Sequence, residues 1–183
     1  MIKSKEEIIN IINNIPKDKF IIANAVKLVY FGIFQKLEIA ELKISNVLKD
    51  NEILSEIKLH IERKNIRYRS KKSIILDNNS KSIIKSHIKQ LKINGYSTTE
   101  DSYLFPYKEN KKYELRTLGN HFNKYFKNSG ITFNKLRRSG LLNFLNFSKE
   151  EKIKLSRFSK IYSFNKSVTD NVQKSGNKKC KGE

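Results

Sequence analysis

One cysteine occurs in 183 residues, Cys180. With no second thiol, no intrachain disulfide can form, and a reducing cytoplasm is the expected setting. Zinc sites built on paired cysteines are excluded for the same reason. Tryptophan is absent, and no run of 18 apolar residues occurs, so no membrane span or membrane partner is expected. The opening "MIKSKEEIIN" lacks the long apolar core of a secretory signal. Neither a Walker loop nor a GxGxxG stretch is present, so no nucleotide or other cofactor is expected. Acidic residues are scarce, 18 against 38 Lys and Arg.

That imbalance gives a formal net charge of +20, and it is unevenly placed. Residues 1–62 hold nine lysines and nine acids, which cancel; residues 63–183 hold the other 29 basic residues against nine acids. A polyanion is the natural partner for such a field, with a merely solubilising surface as the bland alternative. The length suits one domain with a real core. Residues 1–172 are read as that domain and 173–183, "QKSGNKKCKGE", as a basic disordered tail.

Along the chain the apolar period is mostly helical. "SKEEIINIINNI" opens with Ser4 as an N-cap and carries an isoleucine stripe; after Pro16, "KFIIANAVKLVYFGIF" predicts a buried helix. "EIKLHIERKNI" alternates with Ile57, Leu59 and Ile61 on one face, and "KKSIIL" predicts a second strand, leaving a basic hairpin between them. Helices are then predicted from Asn79 or Ser80 to Gly95, and over roughly 115–128, 133–147, 150–158 and 165–173, with the longest loop at "TTEDSYLFPYKENKKYE". The fold class is α+β, mainly α, with a small three-stranded antiparallel sheet.

Side chains suited to metal or acid–base chemistry are dispersed. His60, His87 and His121 fall on a strand and two separate helices, as core or solvated residues rather than ligands, and no metal is expected. The acid pairs Glu6–Glu7 and Glu150–Glu151 sit at predicted helix starts, where the helix dipole accounts for them. Arg137 and Arg138 stand in the first turn of a predicted helix. They read either as phosphate contacts or as a solvated helix end.

Four stretches, in order, resemble the catalytic domain of tyrosine recombinases, the phage-integrase family, over roughly residues 4–172. "FGIFQKLEIAEL" is similar to the family's "TGLRISEL", and "RYRSKKSIIL" to its lysine-bearing hairpin and strand. "DSYLFPYKEN" resembles its "LFP" segment, and "ITFNKLRRSGLLNFL" its "TPHDLRHTFATHLL". The resemblance implies an integrase-catalytic-domain-like fold and DNA as partner. It further implies a chemistry in which a tyrosine attacks the scissile phosphate. Two arginines and a histidine would clamp the phosphate, a hairpin lysine would supply a proton, and a further His or Trp would steady the site. A pentavalent phosphoryl transition state demands such fixed positive donors and an acid for the leaving oxygen.

The residues here depart from that pattern. Glu38 stands at the first arginine, where a carboxylate would repel phosphate, while Glu41 matches the family's acidic residue. Asn134 replaces the histidine, and Arg137 keeps the second arginine, with Glu38 or Glu41 as an alternative ion-pair partner for it. Lys160 falls at the His/Trp position, and the nucleophile's position nine residues on is Thr169; no tyrosine follows Tyr162. A threonine hydroxyl is a poorer nucleophile than a phenol. The hairpin lysine slot is covered by Arg69, Lys71 or Lys72.

The expectation is therefore no enzyme but a non-catalytic binder of duplex DNA, repressor-like, in a phage or mobile element. Arg69, Lys71, Lys72, Arg137, Arg138 and Lys160 would meet DNA. The family's separate N-terminal clamping domain is not found, so a homo-oligomer, a recombinase partner or a longer parent protein is expected. The alternatives are an inactive subunit or interaction partner in a recombinase assembly and, last, an active recombinase with a displaced nucleophile.

Overall fold

The computed structural model describes residues 4–61, 70–156 and 165. The predicted tail at 173–183 and nearly all of the helix predicted at 165–173 lie outside the described residues.

Helix α1 (Lys5–Asn13) opens with a reciprocal capping box. The Glu7 N–H donates to Ser4 Oγ at 3.2 Å, and the Ser4 N–H donates to Glu7 Oε2 at 2.8 Å. Pro16 and a 3-10 turn at Lys17–Lys19 then lead into α2 (Phe20–Phe31), which buries nine of its twelve residues. A helix apolar on nearly every side belongs at the centre of a domain, and four of the other helices pack against α2.

Helices α3 (Lys36–Glu41) and α4 (Ile44–Val47) follow, then strands β1 (Leu48–Lys49) and β2 (Glu52–Ile53). The turn joining β1 to β2 places Asp50 and Asn51 at φ 51° and 63°. Two left-handed residues at a two-residue turn match the twist of a tight hairpin, and Asp and Asn tolerate that region. Strand β3 (Glu56–Ile61) pairs antiparallel with β4 (Ser70–Ile75), Ile57 opposite Ile74 and Leu59 opposite Lys72. Ile57 and Leu59 are buried while Lys58 and His60 are exposed, the alternation read from the sequence.

Among the described residues the strands make two separate two-stranded ladders, β1–β2 and β3–β4, rather than one three-stranded sheet. The chain changes partner at residues 54 and 55. The Leu54 N–H donates back to the Val47 carbonyl, whereas the Ser55 carbonyl accepts from the Leu76 N–H, each at 2.9 Å.

Helix α5 (Asn78–Ile93) is capped by Asp77, whose Oδ1 accepts from the Ser80 N–H at 2.9 Å; Asn79 and Ser80, read as caps, lie inside the first turn. It closes in a Schellman arrangement: Gly95, at φ 75°, donates to the Lys92 carbonyl, and Tyr96 to Leu91. The long loop that follows is stitched to the α3–α4 junction. Ile44 N–H donates to the Ser102 carbonyl at 2.9 Å and Leu104 N–H to the Leu42 carbonyl at 2.8 Å, and Leu104 and Phe105 are fully buried.

Helix α6 (Leu115–Phe126) buries Leu118, Phe122 and Phe126. Helix α7 (Phe133–Gly140) is far shorter than the predicted 133–147, because residues 141–144 tighten into a 3-10 turn before α8 (Lys149–Ser156). No helix among the described residues is long and apolar enough to cross a membrane.

Candidate functional site

The end of α2 is where Arg137, one of the sequence-derived site residues, makes its long-range contact. Gly32 closes the helix, and Ile33 follows in the left-handed region at φ 56°, almost fully buried. A β-branched residue there carries strain on the order of 1–3 kcal/mol and persists only where neighbours enforce it. Helix α7 supplies part of that enforcement. A Cβ at Gly140 would stand 2.0 Å from the Tyr30 carbonyl oxygen and 2.9 Å from Ile33 Cδ1, so only glycine lets α7 cross α2 this closely. The Asn143 amide lies 3.4 Å from the same Tyr30 oxygen.

That crossing sets Arg137 over the turn. Its Nε donates to the Ile33 carbonyl at 2.9 Å, using one of the guanidinium's five N–H groups. Helix α7 starts at Thr132, whose Oγ1 accepts from the Lys135 N–H at 3.2 Å. Arg137 and Arg138 therefore occupy the last turn of a short helix, not the first turn of a long one. Cations are favoured at that end of the helix dipole. Arg137 is half-buried, whereas Asn134, one turn earlier, and Arg138 are exposed.

Glu38 follows five residues after Ile33, in the first turn of α3. Only 1% of it is exposed, and its Oε2 accepts from the Gln35 N–H at 2.8 Å, closing a capping box at the start of α3. A carboxylate here satisfies an orphan backbone donor and meets the positive end of the helix dipole. The sequence carries this signal as Gln35 and Glu38 three residues apart. Glu41, one turn on, accepts a hydrogen bond from Lys112 in the long loop.

In the basic hairpin, Lys71 stands opposite His60 in the β3–β4 register and Lys72 opposite Leu59. The side chains of these two lysines, and all of Arg69, Lys160 and Thr169, lie outside the described residues.

The histidines are apart, as read. His60 is exposed on β3, and His121 Nδ1 lies 3.1 Å from the Tyr113 hydroxyl. His87 is completely buried and stacks on Phe105 at 4.5 Å. Its Nε2 is 2.7 Å from the Leu104 carbonyl and its Nδ1 is 3.1 Å from the Asn24 amide nitrogen. A carbonyl only accepts and the amide nitrogen only donates, so the ring is neutral with its proton on Nε2. Burial pushes its pKa down to about 4, against a smaller upward pull from the Leu104 bond. Burial likewise raises the Tyr113 phenol to about 12, which keeps it protonated and a poor nucleophile.

No family model matches this chain, and no curated protein matches it by sequence. Solved structures do. The XerA recombinase aligns over 100% of this chain with a TM-score of 0.67 at 14% identity. A lambda integrase dimer bound to a COC′ core site aligns over 98% with a TM-score of 0.63 at 16% identity. The Tn1549 transposon integrase, in complex with circular intermediate DNA, aligns over 96% with a TM-score of 0.66 at 12% identity. The fold is integrase-catalytic-domain-like. At these identities the likeness is one of fold, and the chain spans 65%, 50% and 64% of those three proteins respectively.

Proposed function

We propose that this chain binds duplex DNA through its integrase-type fold without cutting it, as a repressor-like regulator in a phage or other mobile element. The observation that carries the reading is at residue 38. Where the resemblance calls for a phosphate-holding arginine, the chain has a buried carboxylate turned onto the backbone of its own helix. DNA as the ligand is supported by the net charge of +20 and by two of the structural neighbours, which are DNA-bound integrases. Thr169 at the nucleophile's position and Asn134 at the histidine's support the absence of chemistry.

The test pairs two assays on the full chain. Gel shifts with random and genomic duplexes should show binding. Nicked suicide substrates, which trap a phosphotyrosyl link, should give no covalent protein–DNA species. A covalent species on any site overturns the non-catalytic reading; no shift on any duplex overturns the DNA-binding one.

A second reading is an inactive subunit in a recombinase assembly. It is favoured by the lambda integrase neighbour, which is a dimer on its core site. Duplex binding that requires an added recombinase would select this reading over the regulator.

A further inference from the structure

A groove of about 640 Å³ runs between helix α5 and the β1–β2 hairpin, lined by none of the six residues expected to meet DNA. Its floor is apolar, made by the half-buried Leu48 and Ile53 over the edge of the buried Ile88. One wall is a row of lysines on α5, Lys81, Lys85, Lys89 and Lys92, and the facing wall includes Asn51 and Glu52. The spacing of four, four and three residues keeps the lysines on one helix face. From Lys81 to Lys92 the row extends about 16 Å, three helical turns.

Lys81 donates to Ser55 Oγ at 2.8 Å. Among the described residues, no carboxylate pairs with Lys85, Lys89 or Lys92, all of which are exposed. Ile93, on the last turn of the same helix, is 72% exposed, more than any other large apolar side chain among the described residues. An apolar floor beside a row of cations that no described carboxylate pairs suits an occupant with one apolar and one anionic face.

We propose that this groove docks an acidic amphipathic helix of a partner protein, with its apolar face on Leu48, Ile53 and Ile88 and its carboxylates toward α5. Helices laid into apolar grooves bind through anchors spaced at i, i+3, i+4 and i+7, and three turns of lysines match that repeat. Duplex DNA fits less well. A phosphate backbone offers nothing to the apolar floor, and Glu52 on the hairpin wall, with exposed Asp50 beside it, would repel it. The chain's own residues 173–183, four lysines and one glutamate, carry the wrong sign.

The probe is a fluorescein-labelled helical peptide of about four turns, leucine on one face and glutamate on the other, titrated with the full chain by fluorescence anisotropy. Saturable binding is expected. It should weaken by at least about tenfold when Lys85→Glu and Lys89→Glu are combined, weaken as salt rises, and persist under saturating duplex. A control peptide with serine for leucine should not bind. The two lysines are exposed, so the double variant should keep the parent's melting temperature, which is measured alongside. Absence of saturable binding, equal binding by the double variant or by the serine peptide, or displacement by duplex each overturns the proposal. Displacement by duplex would assign the lysine row to a nucleic-acid face instead. Gel shifts on the parent chain are read separately, so failure of the groove and failure of DNA binding remain distinguishable.

Discussion

Arg137 and Ile33 lie 104 residues apart in sequence, and the arginine's Nε is hydrogen-bonded to the isoleucine's carbonyl at 2.9 Å. The bond holds the left-handed turn after α2 against α7, so the arginine has a structural task whatever it does with phosphate.

Replacing Arg137 with alanine removes a charged donor from a half-buried carbonyl, a loss of about 1.5–3 kcal/mol. Arg137→Lys should recover only part of it, because an ammonium lacks the planar fork that places Nε. Denaturant melts of the two variants check this. Equal stability of Arg137→Ala and the parent would mean that the turn is held by other contacts.

His87 makes stability depend on pH with a defined sign. Its folded pKa, about 4, lies below the unfolded value of 6.5. Between those values the unfolded chain binds the proton and the folded chain does not, so stability falls as pH drops from 6.5 toward 4. The contribution reaches about 3 kcal/mol at the acid end. Urea melts across that window should show the decline, and His87→Gln should flatten it by about one proton's worth of slope. An unchanged slope in the variant would place the titrating group elsewhere.

The phosphate-contact prediction concerns the basic hairpin. Changing Arg69, Lys71 and Lys72 together to alanine should weaken duplex binding and flatten the salt dependence of log K by roughly 2 to 3 units if all three touch phosphate. Neutralising Lys3, Lys5 and Lys17, in the charge-balanced first third, should do much less. Parent-like binding by both triple variants at every salt concentration would remove the hairpin from the DNA face.

Local signals carried much of this fold in the sequence. The Ser4 cap, the all-round apolar α2 and the alternation at Ile57 and Leu59 could be read because each depends on near neighbours. Features set across the chain could not. The break after Gly140 comes from the approach of the Tyr30 carbonyl, and the division of the sheet follows from where Leu54 and Ser55 send their backbone bonds. At the site, the cap that Glu38 forms rests on a local signal, Gln35 and Glu38 three residues apart, whereas the seat of Arg137 on Ile33 is tertiary and no local pattern carries it.

The capping role of Glu38 limits what position 38 can hold. An arginine at 38 would take the acceptor from the Gln35 N–H and set a buried cation at the positive end of α3. Position 38 therefore couples the start of α3 to the sign of its side chain: a cation there is tolerated only where the Gln35 N–H finds another acceptor.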